Sequence, residues 1–355
     1  MAKVALICDT HAGARGDSLV FNEFFMKFWE GTFFPYLEEN NIKHIIHLGD
    51  VVDRRKFINF VTLNSWRTRF FDRIRNSGII MDVIVGNHDV AFKNTNEINA
   101  MDELFHGYNN INVHTSPIDI EFGNVKLALC PWINSSNYSS SLEFLNNTKS
   151  KILFGHFDIA GFEMDRGNVS HDGLNAGLFS RFYSVYSGHF HHRSSKGNIH
   201  YLGNPYEITW ADYNDNRGFH VFDTESLEAE FISNPNTIFH KIFYDDTDQD
   251  MEYWNNFDFD KYENSYVKVV NLNKTNTYQF DYVMDRLYRA SPADLTIIDD
   301  VIDAPDITDE VVNETEDTMT ILSKYVDQMT VDVDSDKLKK LLKSLYVESL
   351  EMESD

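Results

Sequence analysis

The chain of 355 residues, 42% apolar and 25% charged, has the composition of an ordinary soluble globular protein with room for one large domain plus additions. No apolar run approaches a membrane span, and "MAKVALICDTH" meets polar Asp9 and His11 too early for a signal peptide, so a cytoplasmic protein without membrane contact is expected. A net charge of −25 speaks at first against a nucleic-acid partner, but residues 291–355 alone hold 18 acidic and 5 basic residues.

Residues 3–9 read as a buried strand. Residues 18–40 look helical, with Phe21, Phe24, Phe25 and Phe28 spaced for one face and Pro35 interrupting. "IKHIIHLGD" (42–50) is a second strand ending in a Gly-Asp turn. Over 54–75, Arg54, Arg55, Lys56, Arg67, Arg69, Arg73 and Arg75 meet a single acid, Asp72. Phosphate binding depends on local positive charge, so this run is either a phosphate grip or a solvated helix face. Residues 60–76 fit a helix carrying Leu63, Trp66, Phe70, Phe71 and Ile74 on one side. "IIMDVIVGNHD" (79–89) is a third strand running into a polar turn. Further strands are expected at 111–114, 125–130, 151–155, 182–187, 199–202 and 218–222. Strand-helix alternation followed by closely spaced short strands predicts an α/β sandwich of two sheets flanked by helices, with functional residues where strands end.

Composition shifts near 232–262. Beyond it, a strand at 265–271, a helix at 278–290 and a strand at 294–298 form a small βαβ-like unit. The expected division is a main domain over 1–231, a small α+β domain over 232–300, and an acidic linker with C-terminal helices over 301–355. In the last segment Leu338, Leu341, Leu342, Leu345 and Tyr346 fall on one helical face behind the N-cap candidate Ser335. A lone amphipathic helix behind a linker suits docking into a partner's groove. Cys8 and Cys130 lie in apolar runs and read as buried thiols; without a Cys-x-x-Cys, a thiolate zinc site is excluded.

Five segments share one design, an apolar strand ending in cation-binding side chains. They are Asp9-x-His11 in "CDTH", Asp50 in "LGDVVDR", Asn87-His88-Asp89 in "VGNHD", His156 in "LFGHFD" and His189-x-His191 in "SGHFHH". In extended chain, residues i and i+2 share a side, so Asp9 with His11, and His189 with His191, can face one cavity. Each segment is weak alone; together they point to a metal centre. Carboxylates, imidazoles and an amide oxygen suit octahedral Mn²⁺ or Fe²⁺, with Zn²⁺ and Mg²⁺ less favoured. Seven ligands exceed one ion with an open position. They suit two ions about 3.5–4 Å apart sharing a carboxylate, the arrangement for in-line attack on a phosphoester. His44, His47 and His114 lack a partner motif and read as structural; His171 and His200 are not expected to be ligands. His192 points away from His191 by alternation and is left either as a phosphate contact beside Arg193 or without a role.

These motifs, in this order, resemble the calcineurin-like metallophosphoesterases. With "YLGNPYEITWADYNDNRGFHVFD" (201–223) after "SGHFHH", the chain resembles their SbcD-type recombination nucleases, among which are T-even bacteriophage recombination endonucleases. The resemblance covers about residues 1–225. It implies a two-sheet α-β-β-α metallophosphoesterase sandwich with a capping domain and a C-terminal helical tail. It also implies two Mn²⁺ per chain, with Mg²⁺ or Fe²⁺ as substitutes. Asp9, His11 and His191 would hold one ion, Asn87, His156 and His189 the other, and Asp50 would bridge. His88 would be the catalytic histidine, with Asp89 fixing its tautomer or only stabilising the turn. Asp53 would orient a histidine; nuclease relatives often carry histidine there. Arg54, Arg55, Lys56 and Arg67 would contact DNA. The tail would dock on an SMC-like coiled-coil ATPase, in a complex of two nuclease and two ATPase subunits built on a homodimer, inside the host cell if phage-encoded. Two other readings stand beside this one: a phosphatase or cyclic phosphodiesterase of the same fold, and a DNA-binding scaffold without catalysis.

Overall fold

The computed structural model describes residues 2–299 apart from 106, 166, 167 and 172. The acidic linker and Leu338, Leu341, Leu342, Leu345 and Tyr346 lie outside the described residues. The main strands in chain order are β1 (Lys3–Ile7), β2 (His44–His47), β3 (Ile80–Ile84), β4 (Ile111–His114), β5 (Ile118–Phe122), β6 (Val125–Cys130), β7 (Ile152–His156), β8 (Ser184–Gly188), β9 (Ser194–Lys196), β10 (Ile199–Tyr201), β11 (Gly218–Asp223) and β12 (Glu228–Ser233). One six-stranded sheet has the order β12-β11-β1-β2-β3-β4; the second has β9-β10-β8-β7-β6-β5.

Within the first sheet β1, β2, β3 and β4 run parallel, with Leu6 opposite Ile46 and Ile46 opposite Asp82. Within the second, β6, β7, β8 and β10 run parallel, and Gly188 lies opposite His156. Strand alternation separates the cores. Val4, Leu6, Cys8, Ile46 and Leu48 meet Leu127, Leu129 and Phe154 between the sheets. Ala5, Ile7 and Ile45 face the opposite way, into a cluster with Phe21, Phe25, Trp29 and Trp66 from the helices. On the far side Leu153 and Val185 meet Leu145, Phe157 and Phe179. With both faces covered, parallel strands need continuous apolar runs, which is why "VALIC" and "ILFGH" read so clearly.

The helix over 18–40 does not break at Pro35. Leu19–Phe28 passes through a π-helical turn, Trp29–Phe33, into Phe34–Glu39, whose first turn absorbs the missing proline N–H. Strands β5 and β12 and the helix Tyr138–Asn147 were not expected from the sequence. β5 and β12 are edge strands whose alternation, "IDIEF" and "EAEFIS", is short. Tyr138–Asn147 is serine-rich and buries only Ser141 and Leu145.

The last unit adds a strand before the expected βαβ. β13 (Phe239–Asp245), β14 (Tyr266–Asn273) and β15 (Asp294–Ile298) form a parallel sheet crossed by the helix Thr277–Arg289. It has its own core of Tyr244, Trp254, Val267, Val269, Phe280, Val283 and Leu287. Its start is tied to the sandwich by buried Glu207, whose Oε2 accepts the N–H groups of Ile238 at 2.7 Å and Phe239 at 3.0 Å.

His44 and His114 are structural, as expected. Their Nε2 atoms lie 2.6 and 2.7 Å from the two carboxylate oxygens of Asp82. Burial opposes ionisation of Asp82, but these two imidazoles outweigh it and hold the carboxyl well below its usual range. His47 is fully buried, its Nε2 3.0 Å from Thr10 Oγ1, and burial pushes it down to about 3.

Candidate metal centre

The parallel strands deliver the site, because their C-terminal ends meet at one edge of the sandwich. β1 leads to Asp9 and His11, β2 to Asp50, β3 to Asn87 and His88, β7 ends on His156, and β8 leads to His189 and His191. The backbone must turn hard at these ends. Asp9, His11, Asp50 and His189 all adopt positive φ, at 51°, 42°, 56° and 88°. Strain at four of seven candidate ligands marks a built site, since non-glycine residues avoid this region. Gly49 (φ +91°) serves close approach as well as turning: a Cβ there would lie 2.7 Å from His156 Nδ1 and 2.8 Å from Gly86 Cα.

The donors fall into two groups. Ligand atoms of Asp9, His11 and His191 lie within 4.8 Å of one another, as do those of Asp50, His156 and His189. His11 Nε2 and His191 Nε2 face each other at 3.0 Å. Asn87 Oδ1 joins the second group, 2.9 Å from His156 Nε2 and 2.8 Å from His189 Nδ1. Asp50 Oδ2 sits between the groups, 3.3 Å from His156 Nε2 and 3.9 Å from His11 Nε2.

This donor set fits divalent cations. Asp9 and Asp50 are buried, and among the described ion pairs neither meets a lysine or arginine. Buried carboxylates demand a cation partner. Burial pushes His189 down to about 3 and His191 well below its usual value, so both offer lone pairs rather than protons. Burial also opposes ionisation of Asp50, yet the neighbouring His156 and His88 imidazoles hold it well below the usual range. His156 Nδ1 donates to the Leu48 carbonyl at 2.7 Å, which leaves Nε2 aimed at the centre.

His88 stands at the rim, its ring edge-on to His11 with centroids 4.9 Å apart. Its backbone N–H donates to Asp50 Oδ1 at 2.8 Å, and its Nδ1 donates to the Asp53 carbonyl at 2.6 Å. The oxygen therefore fixes the tautomer and leaves Nε2 free. The Asp53 carboxylate lies 3.5 Å from His11 Nδ1. Position 53 thus serves two histidines, one through its backbone.

Asp89 does not orient His88. Its fully buried carboxylate accepts four backbone N–H groups: Asp50 and Gly86 on Oδ2 at 2.8 and 2.9 Å, Val51 and Val52 on Oδ1 at 2.8 and 3.1 Å. It clamps the Asp50 turn to the Gly86 turn, while the His88 Nδ1 bond goes to the Asp53 carbonyl instead.

Much of the basic run is engaged within the protein. Arg54 pairs with Asp17 and lies over the Phe57 ring, and Arg55 Nε donates to the Asn87 carbonyl at 2.8 Å. Arg69 binds Glu23 and Glu30, Arg73 binds Glu38, and Arg75 binds Asp72. Apart from Asp72, the acids that neutralise the run come from residues 17–38, outside its own span. Lys56 and Arg67 remain exposed. His192 Nδ1 lies 2.7 Å from Asp215 and its Nε2 3.6 Å from Glu163, so both ring nitrogens face carboxylates. The Arg193 guanidinium stacks 3.7 Å over the Phe231 ring.

Arg217 was missed. Buried, it reaches the His191 carbonyl and Asn204 Oδ1 with one nitrogen, and Asp212 and Asp215 at 2.7 Å each with another. It thereby holds the loop that carries a candidate ligand. A buried arginine inside "ADYNDNRG" is flagged in sequence only by the acids around it.

No protein-family model matches the chain. A solved structure described as a novel archaeal phosphodiesterase aligns over 65% of this chain and 99% of its own, with 13% identity and a TM-score of 0.33, too distant to bear on function. Exonuclease subunit 1 of Enterobacteria phage T4 is 30% identical over 318 residues, covering 88% of this chain and 90% of the relative. With that coverage, and with the strand-end motifs converging at one edge of a two-sheet sandwich, the chain belongs to the SbcD-type recombination nuclease family of the calcineurin-like metallophosphoesterases.

Proposed function

We propose that the chain is the nuclease subunit of a DNA end-processing complex, hydrolysing phosphodiesters exonucleolytically on duplex ends and endonucleolytically on single strands. Recombination, double-strand break repair and replication are the processes it would serve. The observation that carries this reading is Asp50 Oδ2 lying between two groups of candidate ligands, 3.3 Å from His156 Nε2 and 3.9 Å from His11 Nε2. Asp9, His11 and His191 would hold one Mn²⁺, and Asn87, His156 and His189 the other, with Asp50 spanning both. Bound ions would supply hydroxide near neutral pH and offset charge on the attacked phosphate.

The remaining work belongs to the protein. His88, held at Nδ1 by the Asp53 carbonyl, turns Nε2 toward the reacting phosphate; as the imidazolium it donates its Nε2 proton to the leaving oxygen or stabilises charge on the phosphate. Asp89, Arg55 and Arg217 hold the ligand loops, and Lys56 and Arg67 are the cations left to meet the DNA backbone.

The phage T4 relative is named as a subunit, which supports a partner; the SMC-like coiled-coil ATPase, engaged through Leu338, Leu341, Leu342, Leu345 and Tyr346, is that partner. A homodimer within a two-plus-two complex accounts for the apolar surface where the start of the helix Leu19–Phe28 meets the start of the helix Phe60–Trp66. Phe60 is 85% exposed there, beside exposed Val61, Phe57 and Leu19, and Thr62 Oγ1 donates to Asp17 across the junction. A second copy would cover this patch by two-fold symmetry.

Purified protein with Mn²⁺ should release nucleotides from end-labelled duplex DNA, and a chelator should stop it. Turnover of p-nitrophenyl phosphate without DNA cleavage would establish the phosphatase reading instead.

A further inference from the structure

A cavity of about 560 Å³ opens beside the metal centre, walled by Trp132, Tyr138, Phe157, Leu174, Leu178 and the candidate ligand His156. That is the size of a small-molecule site. Its remaining polar side chains are Asp158 and Asn175, and among its described lining residues there is no lysine or arginine. It is therefore unsuited to phosphate and suited to a flat ring with polar edges. Trp132 joins the cavity to the site: its ring lies 5.2 Å from the His189 ring and 6.1 Å from that of His156, centroid to centroid. The tryptophan is firmly held. Its backbone N–H donates to the Val85 carbonyl at 2.8 Å, and its backbone carbonyl accepts from Asn96 and Asn137 at 3.0 and 2.9 Å.

We propose that this cavity receives the base of the terminal nucleotide, unpaired from its partner strand and stacked on Trp132, while its phosphate lies at the metal centre. The inference rests on the nuclease reading and adds to it: the enzyme reads the presence of a base at the strand end, without reading its identity. Aromatic stacking tolerates any base, because each presents a π-face.

The test compares Mn²⁺-dependent cleavage of two duplex ends, one normal and one whose terminal nucleotide lacks its base. The wild-type protein should cleave the normal end roughly five- to a hundredfold faster, the range of one base stacked on an aromatic ring. In Trp132→Ala that ratio should collapse to about twofold. Tyr138→Ala, on the solvent-exposed far wall, should lower the ratio without the risk of disturbing the ligand loops. A wild-type ratio near one, or a ratio unchanged in both variants, overturns the proposal. If neither end is cleaved, the nuclease reading itself fails. Calorimetry with a deoxynucleoside 5′-monophosphate against deoxyribose 5-phosphate then decides the cavity separately: tighter binding of the nucleotide supports it, and equal affinity overturns it.

Discussion

His88→Ala should lower kcat for DNA cleavage by about 10²–10⁴-fold, the usual worth of one positioned acid or base, while two Mn²⁺ per chain remain bound. The geometry separates the histidine's two contributions. Its backbone N–H holds Asp50 Oδ1, and that bond survives the substitution. Only the imidazole is lost, together with its bond to the Asp53 carbonyl. Steady-state kinetics and metal analysis on the same preparation check this. The ligand atoms of His11, Asp53 and His88 also lie within 4.8 Å of one another, so a variant that lost an ion along with activity would make His88 a ligand rather than an acid.

Asp89→Asn should act in the opposite way, through the fold. The carboxylate accepts four N–H groups on its two oxygens, whereas an amide offers one oxygen and turns an NH₂ group against two buried donors. Burial and the Asp50 charge push this carboxyl up to about 6 while the backbone N–H groups pull it down, so the anion that accepts all four is the form present at pH 7.5. Each buried donor left unpaired costs about 1–3 kcal/mol, which puts the expected loss at about 2–6 kcal/mol. Urea unfolding would measure it, and metal occupancy should fall as the two turns part. A variant with wild-type stability and both ions, yet little activity, would return Asp89 to the catalytic machinery.

The parts of this site visible in the sequence were those carried by strand ends. Buried parallel strands announce themselves as apolar runs, and a polar residue just past each run must sit at the sheet's edge. Asp9, His11, Asp50, Asn87, His156, His189 and His191 were legible for that reason. Contacts between distant segments were not. Nothing local says that Asp89 accepts N–H groups from the turn at 50–52, or that Glu23, Glu30 and Glu38 neutralise Arg69 and Arg73. Arg217 and Trp132 were hidden likewise: the first reaches back 26 residues to the His191 carbonyl, and the second faces the site only through the pairing of β6 with β7. Edge strands such as β5 and β12 escaped because their alternation is short and half exposed.

We propose that these seven side chains hold two ions, with Asp50 shared between them. Equilibrium dialysis against Mn²⁺, followed by metal analysis, measures it directly. Two Mn²⁺ per wild-type chain are expected, with binding of both weakened in Asp50→Ala and cleavage appearing only as the second ion fills. One ion per chain, or an Asp50→Ala protein that still binds two, would contradict it.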